Sequence, residues 1–391
     1  MAGRAWRIAG IAAGAVAALV LGAGLWFREE LVRLHAVNTL FDADRIVGNF
    51  SNMGALFHTV PVPRGDGPVT PLPEGKPLAL PGGVAAWVAA ADVTGLAVLD
   101  RGALVHESAY LGTSRDDLRI SWSVAKSFLS ALIGVSVARG EVDLDAPVTD
   151  YAPALAGSAY DGATLRDVLT MQSGVRFDED YADPRSDINR MGRVIALGGT
   201  LDGFAAALRE RDRPPGEAWT YVSIDTHVLG MVLRGATGRS VAELMSERLI
   251  GPLGLEAAPY YIADGEGVAF VLGGLNLALR DYARFGLMVA QEGRIGDRQV
   301  VPEAWIEAST APQAATAPGA IRYGYQWWIP ADARPGEVLA RGVYGQYVYI
   351  DRARDVVVAV TAANRDFLAE GQYAAALQSL RAISDALMAR R

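Results

Sequence analysis

The stretch Ile120–Gly134 reads ISWSVAKSFLSALIG, and its lysine is out of keeping with the rest of the chain. The 391 residues contain 34 arginines and only two lysines. Lys76 lies in a proline- and glycine-rich segment, where a solvated charge needs no special account. Lys126 sits in an apolar run, three residues after Ser123. The run from Ser123 to Arg139 predicts a helix that ends at Gly140. It is apolar on nearly every face, so it should be buried on every side. Residues three apart on a helix share a face, about one turn apart. A hydroxyl and an amine are thereby brought together in apolar surroundings.

That pairing has a chemistry. A serine hydroxyl is a poor nucleophile without a base beside it. Lysine can be the base only when its amine is neutral part of the time. Its free pKa is about 10.4, and burial lowers it. A shift of three units corresponds to about 4 kcal/mol against the charged form. The apolar helix, with Trp122 and Phe128 nearby, is a source of such a bias. Arginine cannot replace lysine here, because it keeps its proton. The helix N-terminus also offers backbone N–H groups to a developing oxyanion. Ser121, the rival nucleophile, has Val124 three residues on, not lysine.

Two further elements fit this chemistry. Of fourteen tyrosines, only Tyr221 has Ser or Asn two residues on, in TYVSIDTHVLG. Serine hydrolases of the Ser–Lys type commonly carry a tyrosine or serine to shuttle the proton, which makes Tyr221 the candidate. In ARGVYGQYVYID, Gly342 and Gly345 fall within a strand-like run. Glycine there marks a strand edge that a ligand approaches closely.

Strand signals come from both ends of the chain. GLAVLD and ALVHESAYLG flank Arg101-Gly102 as a hairpin. YGYQWWIP, VYGQYVYID and DVVVAVTAA are rich in β-branched and aromatic residues, with a second hairpin around Asp351–Arg354. A mostly helical insert over about 141–300 separates the two sets. The C-terminal helix carries Leu377, Leu380, Ile383 and Leu387 on one stripe. The expected organisation is an N-terminal segment over 1–34, an extended lead-in over 35–80 rich in Pro and Gly, and one domain over 81–391.

Ile8–Phe27 is twenty residues without a charge, roughly 30 Å as a helix and enough to cross a hydrocarbon core. Arg4 and Arg7 precede it, which places the N-terminus in the cytoplasm and the domain beyond the inner membrane. The expectation is a single-pass inner-membrane anchor with a periplasmic domain. A cleaved signal peptide is the alternative.

Other classes find no support. The net charge of -8 and the lack of a basic run argue against nucleic acid as a partner. Without cysteine there is no disulfide, thiolate metal site or cysteine nucleophile. His35, His58, His106 and His227 stand in no metal-ligand spacing, and His227 reads as a packed core histidine. Asp178, Glu179 and Asp180 read as a solvated loop. No G-x-S-x-G elbow occurs; GVSVA at 134–138 is a near miss inside the helix. Neither a metal nor a cofactor is expected.

SVAK, YVS and GVYGQ, in that order, resemble the three motifs of the penicillin-recognising serine hydrolases. That superfamily includes class C β-lactamases, D-alanyl-D-alanine carboxypeptidases, family VIII esterases and 6-aminohexanoate-dimer hydrolases. The resemblance covers about residues 40–390 and is strongest to the aminohexanoate branch. It implies an α/β (α+β) fold of the β-lactamase and penicillin-binding-protein type, with an antiparallel sheet flanked by helices. It implies Ser123 as nucleophile, Lys126 as its base, Tyr221 as proton relay and Ser223 as support. The backbone N–H groups of Ser123 and Val343 would form the oxyanion hole. Tyr181, Gly342, Tyr344, Gly345 and Gln346 would face the substrate. The Lys-Thr-Gly of most β-lactamases is here Gly342–Gly345, without a cation at its head, which favours an uncharged small-molecule ester or amide. Cleavage of β-lactams or D-amino-acid peptides, or peptide binding without turnover, are the alternatives.

Overall fold

The computed structural model describes residues 2–391. Its main sheet has seven strands: β1 Val93–Asp100, β2 Ala103–Ala109, β3 Arg322–Tyr323, β4 Trp328–Ile329, β5 Glu337–Gly342, β6 Gln346–Asp351 and β7 Val356–Ala362. They are antiparallel throughout, in the order β2-β1-β7-β6-β5-β4-β3. The two ends of the chain meet at the β1–β7 pair, where Val98 faces Val358. Both expected hairpins form. At the first, Arg101 and Gly102 take φ of 51° and 77°, the left-handed pair that a two-residue hairpin turn requires.

Seven helices matter for the site: α1 Ala2–Trp26, α2 Arg28–Thr39, α3 Gly82–Ala90, α4 Val124–Ala138, α5 Ser223–Thr237, α6 Leu279–Ala290 and α7 Gln372–Ala389. The sheet is covered on both faces. Val356, Val358 and Val360 of β7 join the core made with Trp87 of α3 and Leu380 and Ile383 of α7. Val357 and Ala359 join the larger core made with Phe128 of α4 and Phe285 of α6. This explains why β7 reads as an unbroken apolar run rather than an alternating one.

Two regions depart from the sequence reading. The lead-in is extended only beyond Leu56. Ile46–Ser51 and Met53–Leu56 are helices, and their buried Ile46, Phe50 and Met53 belong to the larger core. The helical insert also contributes to a four-stranded sheet in the order Thr59–Pro61, Tyr260–Ile262, Leu275–Leu277, Arg119–Ile120. Strands of two or three residues are too short to show a period.

Within α1, Trp6–Trp26 is apolar, with a mean hydropathy of 2.2, and exposed along its length, which makes it a candidate membrane span. Helix α2 folds back onto the domain. Its Arg33 donates to the Ala196 carbonyl at 3.1 Å, and its Ala36 is buried.

Candidate active site

The segment leading into α4 is strained. Trp122 has φ +43°, a conformation a bulky residue rarely adopts. Packing holds it there: its ring lies 5.5–5.9 Å from those of Phe41, Phe50 and Tyr344. The kink sets Ser123 as the N-cap of α4, partly exposed, with Lys126 in the first helical turn. As expected, α4 is buried on nearly all sides. Ser136, inside the near-miss GVSVA, serves packing: its hydroxyl accepts from Arg248 at 3.0 Å.

Lys126 is 1% exposed. Its Nζ donates to the Ser223 carbonyl at 3.5 Å and lies 5.6 Å from the centre of the Tyr221 ring. No carboxylate lies within ion-pair distance of it among the described residues. Burial lowers its pKa to about 7, against the opposing pull of the Glu179 and Asp225 charges. The amine is thus poised near neutrality.

Tyr221 stacks on Trp328, 5.1 Å between centroids, just before α5. Burial raises its phenol above the ordinary value, and Glu179 adds to this. The Ser123 and Ser223 hydroxyls act the other way, as hydrogen-bond partners that favour the phenolate. Ser223 Oγ is buried and has no partner at full hydrogen-bond geometry among the described residues. Ser123, Lys126, Tyr221 and Ser223 therefore converge, from two helices and the loop between them and the sheet.

The β5–β6 connection faces this group. A Cβ on Gly342 would come 2.7 Å from the Ser121 carbonyl and 3.2 Å from the Ser123 nitrogen. The close approach expected at Gly342 is thus made by the serine's own backbone, which brings Val343 beside it. Val343–Gly345 is a tight turn between strands rather than strand, with Tyr344 at φ +60° and Gly345 at φ +86°. The Tyr344 ring stacks on Phe41 at 4.7 Å. Gln346 does not reach the cavity. Its amide is spent on the Val343, Tyr344 and Ala362 carbonyls at 2.8–3.3 Å, and its oxygen accepts from the Ala362 N–H, so it pins the turn.

Glu179 departs from the solvated-loop reading. Its carboxylate accepts from the Ser223 N–H and, at 3.0 Å, from the Tyr181 hydroxyl. Burial raises its pKa, while Lys126 pulls it down. Its neighbours in the acidic run are exposed, so composition hid it. Asp225 was also missed. It is wholly buried, accepts from Tyr160 at 2.7 Å and Ser173 at 2.9 Å, and is raised by burial to about 7. Its place two residues after Ser223 was the available signal. His227 is packed in the core, with Nε2 2.7 Å from Asp202.

Two lobes of one cleft meet at Ser123. One is walled by Leu40, Phe41, Met53, Ile195 and Phe270 among others, with no charged side chain. The other is lined by Tyr221, Trp328, Arg341 and Tyr347. Tyr181 and Val343 border both. The Arg341 guanidinium, whose direction the sequence leaves open, lies over the rings of Tyr373 and Trp328 at 4.4 and 5.4 Å.

An antiparallel sheet covered by helices, with a buried helix opening on Ser-x-x-Lys against a strand end, defines the architecture of β-lactamases and penicillin-binding proteins. The β-lactamase family model matches residues 79–382, and the chain belongs to that family. It is 32% identical over 263 residues to the 6-aminohexanoate-dimer hydrolase of Paenarthrobacter ureafaciens, a match spanning 63% of this chain and 66% of that one. It is 31% identical over 158 residues to esterase EstB of Burkholderia gladioli, spanning 38% and 39%. A solved Bacillus anthracis structure assigned as a 6-aminohexanoate-dimer hydrolase superposes with a TM-score of 0.76 at 22% identity, over 90% of this chain and 96% of that one. These relatives carry the names of hydrolases.

Proposed function

We propose that the protein is a serine hydrolase that cleaves an ester or amide through an acyl-enzyme on Ser123, held at the outer face of the inner membrane by α1. The observation that carries the reading is the wholly buried Lys126, unpaired with any carboxylate and poised near pH 7 beside Ser123 and Tyr221. Neutral Lys126 takes the Ser123 proton as Oγ attacks the carbonyl carbon. The backbone N–H groups of Ser123 and Val343 hold the oxyanion, each worth on the order of 3 kcal/mol. Tyr221 passes the proton to the leaving group, with Ser223 beside it. Water then attacks the acyl carbon, and the same groups run in reverse. Tyr181 and Glu179 fix the Ser223 backbone and the rim of the cleft.

A second reading has one observation in its favour. Arg341 borders the lobe that also holds Tyr221, so a carboxylate on the leaving-group side, as in a β-lactam or a peptide, would meet a cation. Hydrolysis of nitrocefin at a rate above that of simple esters would favour it.

The central test is Ser123→Ala. Hydrolysis of p-nitrophenyl esters should fall on the order of 10³-fold or more, and a serine-reactive phosphonate should cease to add to the intact protein. A variant as fast as wild type would remove Ser123 from the reaction.

A further inference from the structure

The apolar lobe beside Ser123 is unusual in where its walls come from. Its lining includes Val37 and Leu40, from the helix α2 and its end, and the following Phe41. Helix α2 begins two residues after Trp26, where the candidate membrane span ends. At 1.5 Å per residue, Val37 is roughly 16 Å along the helix from Trp26. The juxtaposition is fixed, because Arg33 is tied to the Ala196 carbonyl and Phe41 is stacked on Tyr344.

Exposed apolar side chains and a cleft of mixed polarity lie between the two. Phe27, Leu31 and Val32 lie beyond the span yet are 51–56% exposed. A cleft at the end of the span carries Leu25, Trp26, Leu56 and Phe57 together with the charged Arg28, Glu29, Glu30 and Arg33. Phe57 lines both that cleft and the lobe at Ser123. The lobe at Ser123 is lined mostly by apolar side chains. Its only polar side chains are uncharged. Burying each further methylene is favourable, so such a space rewards chain length.

We propose that this lobe takes the aliphatic chain of an acyl ester or amide that itself resides in the bilayer, and that the chain enters past Phe57 from the membrane side. The inference rests on the acyl-enzyme reading above. Tyr221 borders only the other lobe, so the leaving group, which receives the proton, lies there and the acyl part lies in the apolar lobe. The Ser123 Oγ–acyl bond forms as the acyl–leaving-group bond breaks, the serine proton goes to the leaving group, and water releases a long-chain acid.

The test uses the full chain reconstituted in palmitoyl-oleoyl phosphatidylcholine vesicles. In a 4-methylumbelliferyl ester series from butyrate to palmitate, kcat/KM should rise at least tenfold by decanoate. 4-Methylumbelliferyl palmitate placed in the same vesicles as the protein should be cleaved at least tenfold faster than palmitate presented in separate vesicles. Val37→Asp should cut the decanoate-to-butyrate ratio at least tenfold, and the milder Val37→Phe should move the optimum to shorter chains. A flat or falling series, equal rates in shared and separate vesicles, or a ratio unmoved by both variants would overturn the proposal. In each of those cases Ser123 would still turn over butyrate. Loss of the acyl-enzyme reading looks different: no ester is cleaved and no phosphonate adduct forms.

Discussion

Two cations lie deep in this molecule and are held in opposite ways. Arg284 in α6 is 1% exposed, and each of its three nitrogens donates: to Asp281 at 2.8 Å, Glu256 at 2.9 Å and the Thr70 carbonyl at 2.9 Å. Lys126 in α4 is equally buried, but has one long hydrogen bond to a carbonyl and no carboxylate beside it. The first arrangement locks a charge in place. The second makes the charge easy to lose, which is what the proposed role of base requires. Burial alone is common to both, so the partners decide which buried cation keeps its proton and which can lose it.

The sharpest way to break the comparison is Lys126→Arg. If the amine acts by losing its proton, arginine should be nearly as damaging as alanine, with kcat/KM lowered on the order of 10³-fold or more. Substantial activity in the arginine variant would mean that charge suffices. At Arg284 the expected loss is of stability. Arg284→Ala leaves Asp281 buried and unpaired, and should cost about 3–5 kcal/mol in denaturant unfolding followed by tryptophan fluorescence.

Lys126→Met should do the reverse. The folded pKa of Lys126, about 7, lies below its unfolded value. Between roughly pH 7 and pH 10 the unfolded chain therefore binds more protons, and stability rises with pH. Removing the amine should stabilise the fold by on the order of 4 kcal/mol near pH 7, with the gain fading toward pH 10. A gain that is absent or independent of pH would count against a depressed lysine. The smallest effect is expected at Glu179. Its charge favours the Lys126 ammonium, so the acid limb of the rate–pH profile, rising through about pH 7, should move to lower pH in Glu179→Gln, by about one unit or less. A move to higher pH would reverse the assigned sign.

The catalytic candidates were legible because each sits in a short-range pattern. Ser123 and Lys126 share a helix turn, Tyr221 and Ser223 share a loop, and Gly342 stands at a strand end. The sheet was legible because β-branched runs cluster at both ends of the chain. What stayed hidden depends on distant partners. Glu179 looks like its exposed neighbours until the fold carries it to the Ser223 N–H. Gln346 looks like a site residue until its side chain is seen to hold the turn. The apolar lobe is assembled from Leu40, Met53, Ile195 and Phe270, pieces whose sequence spacing carries no pattern. The short helices at 46–56 lacked the length to declare a period.

The pairing of β1 with β7 also sets the order of events during synthesis. The ribosome makes Ser123 and its lysine long before Val343 and the strands that seat them, a delay of roughly 10–40 s at ordinary elongation rates. During that interval α4 has no β6 or β7 to pack against, and no second backbone donor faces the serine. Through that interval the proposed nucleophile, Ser123, stands without the backbone of Val343 beside it. The sheet closes only when its last strand pairs with the first.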